Sequence, residues 1–141
     1  MLVQEFDRLP DDPPEMRVLS KRQPTEAERR DMRYAWRCVK HVKSNAVVVV
    51  KDRALVGMGA GQPNRVTSAR LAVQSAGARA KGAVSASDAL IPFPDTVEVC
   101  AEAGITAIIQ TGGSIRDEDS VAVCDANDMA MVATGVRHFR H

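Results

Sequence analysis

The stretch SNAVVVVKDRALVGMGAGQ, residues 44–62, decides the fold. At its centre, Val47-Val48-Val49-Val50 is β-branched throughout and apolar on both faces. Successive side chains of a strand point to opposite faces of its sheet, so a strand over Ala46–Val50 reads as central and covered on both sides. Lys51-Asp52-Arg53 is a tight polar connection, and Ala54 to Met58 returns as the antiparallel partner of a hairpin. Gly57, Gly59 and Gly61 punctuate the exit from that second strand.

Upstream of the hairpin, Thr25 and Glu28 have the spacing of a capping box, in which each side chain satisfies the other's backbone N–H. Met32, Ala35, Trp36 and Val39 then recur at helical spacing, which predicts a helix over about 26–41. Residues 1–24 carry Pro10, Pro13, Pro14 and Pro24 and read as an extended arm or linker, within which Arg17-Val18-Leu19 could form a short strand. Downstream, Arg65 to Ala80 reads as a helix with Val66, Ala69, Val73 and Ala76 on its buried side and Gly77 weakening its last turn. A strand over Ala83–Ala86 follows. Asp95 has the chemistry of an N-cap for a helix over 96–103, with Gly104 as its stop. Ile105–Gln110 is a further strand, 117–126 a helix and Met129–Ala133 the last strand.

This order predicts an α/β domain over 25–141, a three-layer arrangement with a mixed sheet and helices on both faces. The expected sheet has one antiparallel pair, then parallel additions through right-handed crossovers. Ligands of such sheets collect at the carboxyl ends of strands. Those ends are Gly59–Arg65, Ser87–Asp95, Gln110–Arg116 and Thr134–His141.

Composition narrows the function classes. The 141 residues are 45% apolar and 26% charged, ordinary for one globular domain. Only 4% are aromatic, so aliphatic residues and Met must build the core. Nineteen basic residues against eighteen acidic ones argue against a protein that binds nucleic acid by bulk phosphate neutralisation. They leave room for a small anion held by a few arginines. No apolar run approaches the ~20 residues that span a bilayer, and the acidic N-terminus lacks a signal-peptide pattern. Cys38, Cys100 and Cys124 are odd in number and far apart, which reads as reduced structural thiols of a cytoplasmic protein. The His-x-Glu and Pro-Cys-x-x-Cys pattern of zinc deaminases is absent.

Several segments carry chemistry of their own. Lys40-His41 admits an acid–base reading, but a helix C-terminus favours cations in any case. Asn45 could turn the chain or offer its amide to a ligand. Gly57-Met58-Gly59-Ala60-Gly61-Gln62 fails the dinucleotide fingerprint, since Gln62 stands where the third glycine belongs. A close backbone approach is plausible at these glycines, and a dinucleotide-binding loop is not. Arg65 at a helix start suggests an anionic partner or solvation. In Ser87–Asp95, two prolines stiffen an apolar loop, Phe93 could face a planar ring, and Asp95 either caps the helix or meets the polar edge of a heterocycle. Gly112-Gly113-Ser114 opens a helix, where N–H groups could meet an anion or a carbonyl, or simply turns the chain.

Taken in order, KSNAVVVVKD, VGMGAGQPNRV, SASDALIPFPD, AGITAIIQTGGSIRDED and TGVRHFRH resemble the C-terminal end of the AICAR formyltransferase/IMP cyclohydrolase family. The likeness runs from about Leu2 to His141 with consistent spacing, and RHFRH looks like the family's C-terminus. It implies the last part of a cytidine-deaminase-like formyltransferase domain. The cyclohydrolase domain and the transferase half with the family's Lys-His pair have no counterpart in these residues. Lys40-His41 matches a different family segment, so His41 is not read as the base.

The resemblance implies transfer of a formyl group from 10-formyltetrahydrofolate to the 5-amino group of AICAR, in purine biosynthesis. It assigns Asn45 and His141 to the reacting groups, with His141 able to polarise the carboxamide. Arg65 and Arg137 go to the nucleotide, and Phe139 and His141 lie against AICAR. Val66, Phe93, Asp95, Ser114 and Ile115 line the folate side, with Asp95 on the pterin edge. Ser44 and Asp88 match a region that holds a structural potassium ion in some members. The family dimerises with transferase sites near the interface, so an isolated segment should expose apolar surface.

This sequence departs from the family pattern in three places. Leu90-Ile91 replaces a common Phe-Phe, Thr111 a usual proline, and Val132-Ala133 a bulkier pair. Weaker ring packing is the expected consequence. The expected function is the C-terminal part of the transferase, inactive without the Lys-His half. The alternatives are a non-catalytic binding or regulatory module that keeps the fold, and an unrelated α/β binding protein.

Overall fold

A computed structural model describes residues 16–135. Eleven elements follow one another within them. They are strand β1 (Arg17–Val18), helix α1 (Glu26–Val39), strands β2 (Val47–Lys51) and β3 (Ala54–Gly59) and helix α2 (Arg65–Ala76), which runs into a 3₁₀ turn at Gly77–Ala80. Then come β4 (Val84–Ser87), α3 (Asp95–Glu102), β5 (Ala107–Gln110), α4 (Asp117–Ala126) and β6 (Ala130–Ala133). The strands form a six-stranded mixed sheet in the order β1-β6-β5-β4-β2-β3.

The sheet is less parallel than the sequence reading expects. β2 pairs antiparallel with both β3 and β4, and β1 pairs antiparallel with β6; only β4–β5 and β5–β6 are parallel. The hairpin's first strand, not its second, lies beside β4, so the connection from β3 to β4 passes over β2. As a result β3, β4, β5 and β6 all point the same way. Their carboxyl ends and the start of β2 meet at one edge of the sheet.

The valine run earns its place. Val47 and Val49 join one apolar cluster, with Ala69, Ala72 and Ala76 of α2, Val97 and Cys100 of α3, and Cys124 of α4. Val48 and Val50 join another, with Met32, Ala35, Trp36 and Val39 of α1. All four valines are at most 2% exposed. The hairpin turn puts Asp52 and Arg53 at positive φ, as a two-residue turn of primed type requires. The buried Asp31 of α1 accepts hydrogen bonds from both of their backbone N–H groups, at 3.1 and 3.0 Å.

Other expectations shift by a residue or two. The capping box is present, with Thr25 Oγ1 accepting from Glu28 N and Glu28 accepting from Thr25 N. Helix α2 ends at Ala76, because Gly77 takes φ +58° and a 3₁₀ turn follows. Its buried face is Ala69, Ala72 and Ala76, with Val66 and Val73 only half-buried. The reason lies in β3. A Cβ on Gly57 would stand 2.1 Å from the Ala72 carbonyl oxygen, and one on Gly59 1.9 Å from that of Ser68. These glycines let helix and strand backbones touch, so alanines rather than valines fill the seam.

Asp95 is not the N-cap of α3. Pro94 holds that position, and Asp95 is the first helical residue, with Oδ1 accepting from Thr96 N at 2.8 Å. All three cysteines are free thiols. No helix among the described residues is long and apolar enough to cross a membrane.

Candidate functional site

A cleft of about 590 Å³ opens at the edge where the strand ends meet. Asn45 comes to it from the approach to β2, Asn64, Arg65 and Val66 from the start of α2, Leu90 and Phe93 from the loop between β4 and α3, and Asp95 from the first turn of α3. That size suits a drug-sized ligand. Asn64 caps α2, its Oδ1 accepting from Thr67 N at 2.9 Å, which sets where Arg65 and Val66 leave the helix.

The floor is a buried polar network. Asp88, at the end of β4, has no exposed surface, and Arg65 is 7% exposed. Arg65 Nη1 donates to Asp88 Oδ1 in a direct ion pair. Oδ1 also accepts from Ala46 N at 3.3 Å, and Oδ2 accepts from Ser44 Oγ at 2.6 Å. Arg65 Nη2 donates to Asn45 Oδ1 at 2.8 Å, and Asn45 Nδ2 donates to the Gln62 carbonyl at 3.1 Å. Ser68 Oγ donates to the Asn45 carbonyl at 2.6 Å. The Ser44–Asn45 peptide is cis.

This network fixes the Asn45 amide. A guanidinium only donates and a carbonyl only accepts, so Oδ1 must face Arg65 and Nδ2 must face Gln62. Nδ2 carries a second hydrogen, and Asn45 lines the cleft.

The loop from Ser87 to Asp95 is held from below. Ile91 is buried, and its N–H donates at 3.0 Å to Oε1 of Gln110, itself without exposed surface. Ser87 Oγ donates to the Ala89 carbonyl at 3.0 Å. With Ile91 anchored, its neighbour Phe93 is turned outward and is 51% exposed. The Arg116 guanidinium sits 5.4 Å from the centre of the Phe93 ring, a cation–π contact. The exposed Asp95 has one oxygen on its own helix, and Oδ2 makes no hydrogen bond among the described residues.

The structure thus brings Asn45, Arg65, Val66, Phe93 and Asp95 around one cleft, over Ser44 and Asp88. Ser114 and Ile115 do not line it. Ser114 Oγ accepts from Arg116 N at 3.1 Å, and Ile115 is fully exposed. Their loop touches the cleft wall only where Arg116, which the sequence reading does not single out, packs on Phe93. Gly113, Ser114, Arg116 and Asp117 form one turn, closed by Gly113 N on Asp117 Oδ2 at 2.9 Å. An arginine inside a glycine-led helix entry was the available signal. Arg137, Phe139 and His141 lie outside the described residues. His41 is exposed just beyond α1, whose C-cap is the buried Lys40.

The potassium expectation meets donors rather than acceptors. Arg65, Ala46 N and Ser44 Oγ all give hydrogens to Asp88. A hard cation needs oxygen lone pairs and here would face a guanidinium, so the residues as placed do not fit it. No three His, Cys, Asp or Glu side chains group around a metal position among the described residues.

Residues 1–75 match the model of the family described as AICARFT/IMPCHase bienzyme. This chain belongs to that family. Its AICARFT/IMPCHase relatives include bifunctional purine biosynthesis proteins PurH of Bacillus thuringiensis strain Al Hakam, Bacillus cereus strain AH820 and Bacillus anthracis. Each is 57% identical over all 141 residues of this chain, which spans 28% of the relative's length. Among solved structures, Acinetobacter baumannii RibD, form 2, aligns at a TM-score of 0.49 and 17% identity, over 76% of this chain and 34% of that one. A Thermotoga maritima diaminohydroxyphosphoribosylaminopyrimidine deaminase/reductase aligns at 0.47 and 19%, over 77% and 35%.

Proposed function

We propose that this chain forms the C-terminal part of an AICAR formyltransferase domain in purine biosynthesis, and that its cleft is one wall of a two-substrate site. On this reading the two apolar clusters are the two sides of a three-layer, cytidine-deaminase-like arrangement. One observation carries the reading: Asn45, Arg65, Val66, Phe93 and Asp95, which the family resemblance assigns to ligands, line a single cleft. Family membership and the PurH relatives are consistent with it.

The reaction moves a formyl carbon from N10 of 10-formyltetrahydrofolate to the 5-amino nitrogen of AICAR. A C–N bond forms as another breaks, the amine gives up a proton, and N10 of the departing tetrahydrofolate takes one. That amine is a weak nucleophile, conjugated with its ring, so positioning, deprotonation and oxyanion stabilisation must supply the rate. Asn45, its amide orientation fixed, offers the second Nδ2 hydrogen to a developing oxyanion. Phe93 gives a flat face to the pterin, and Asp95 Oδ2 takes hydrogens from the pterin's polar edge. The base and stabilising lysine come from the Lys-His half of the transferase.

A formyltransferase assay tests this. The chain alone should make no formyl-AICAR. Mixed with a polypeptide carrying the Lys-His half of a PurH relative, it should. Activity of the chain alone would contradict the assignment of the base to the other half. Ligand binding with no activity in either arrangement would favour a non-catalytic module.

A further inference from the structure

We infer that the fixed counter-ion of Asp88 is Arg65, and that this carboxylate does not hold a potassium ion. Asp88 has no exposed surface, and a buried carboxylate must be matched by charge or by donors. It has both. Oδ1 takes Arg65 Nη1 and Ala46 N, and Oδ2 takes the Ser44 hydroxyl. The Ala46 carbonyl oxygen is occupied too, accepting from Asp88 N at 3.2 Å and from Arg65 Nη1 at 3.4 Å. The side chain of Ala46 beside this network brings no oxygen. A cation could enter only by turning the Ser44 hydroxyl and expelling the guanidinium.

The pairing changes what Arg65 does. Its charge is spent on Asp88, and Nη2 holds Asn45 Oδ1. Arg65 thus ties Asp88 and Asn45 together beneath the cleft. The inference does not depend on the formyl-transfer reading, because its readout is thermal stability.

The test is thermal unfolding of this chain in KCl, NaCl and N-methyl-D-glucamine chloride at equal ionic strength. The three melting curves should coincide. Asp88→Asn should lower the midpoint equally in all three salts. The Arg65→Gln/Asp88→Asn double variant should lose less than the sum of the two single losses, as directly coupled partners do. A saturable, potassium-selective rise in the wild-type midpoint that Asp88→Asn abolishes would overturn the inference, as would strictly additive losses. If the variants do not fold, the wild-type curves decide it alone: coincidence supports the internal counter-ion, and a saturable potassium-selective rise refutes it.

Discussion

Gly59 shows how one residue sets an interface. Its absent Cβ would lie 1.9 Å from a backbone oxygen of α2, an atom that cannot swing aside as a side-chain tip can. Gly59→Ala should therefore push α2 off the sheet and cost about 1–3 kcal/mol or more, by the usual penalty of overpacking. Chemical denaturation of the variant measures it, and a change below about 0.5 kcal/mol would show that the seam is loose. The sequence held part of this: the glycine spacing failed the dinucleotide fingerprint and left a close backbone approach plausible. The partner, Ser68, was invisible because the contact joins different elements. The Arg65–Asp88 pair was hidden for the same reason, as 23 residues separate two groups that only the crossover brings together.

At the scale of the element, the first helix is bound to the chain before it. Arg22 donates to both oxygens of Glu28 at 2.9 Å and to the Thr106 carbonyl at 2.8 Å. Burial pushes the Glu28 carboxyl up, but Arg22, Thr106 and the Thr25 N–H together outweigh it and bring it down to about 2. The folded carboxyl thus holds its proton less tightly than the unfolded one, near 4.5. Its contribution to stability is full above about 4.5 and is lost as the pH falls towards 2. Denaturation midpoints should drop over that window, and Glu28→Gln should flatten the drop; an equal slope in the variant would assign the acid sensitivity elsewhere.

The capping box that frames this helix was fully legible, since all its partners lie within four residues. The strands were legible from the valine run and the alternation after it. Which hairpin strand lies next to β4 was not, because Val47–Val50 and Ala54–Gly59 offer the same backbone groups to a neighbour.

For the molecule as a whole, the two apolar clusters and the cleft are one construction. Strands that pack by alternate faces into both clusters also deliver their ends to one edge. Two thiols report on that packing. Burial pushes the Cys100 thiol up to about 12, and burial followed by the neighbouring Cys100 and Asp125 raises Cys124 to about 12. Since the thiolate is the reactive form, neither should react with a thiol reagent in the native protein at neutral pH, and both should react promptly in denaturant. Rapid native labelling at Cys100 or Cys124 would mean that α3 and α4 open readily.

The same wholeness limited the sequence reading of the site. It could name Asn45, Arg65, Phe93 and Asp95 as separate oddities, but their meeting depends on the sheet order. Ser114 and Ile115 show the converse, residues with a plausible role whose loop turns them away from the cleft.

The central claim is that this cleft forms the folate wall of a formyltransferase site, with Asp95 on the polar edge of the pterin. Calorimetric titration of 10-formyltetrahydrofolate into the protein and its Asp95→Ala variant tests that most directly. Losing a hydrogen-bonded carboxylate should weaken binding by roughly 10- to 100-fold, with only the small fall in melting temperature that loss of the Oδ1–Thr96 N bond at the helix start brings. Equal affinity in the two proteins would contradict the assignment.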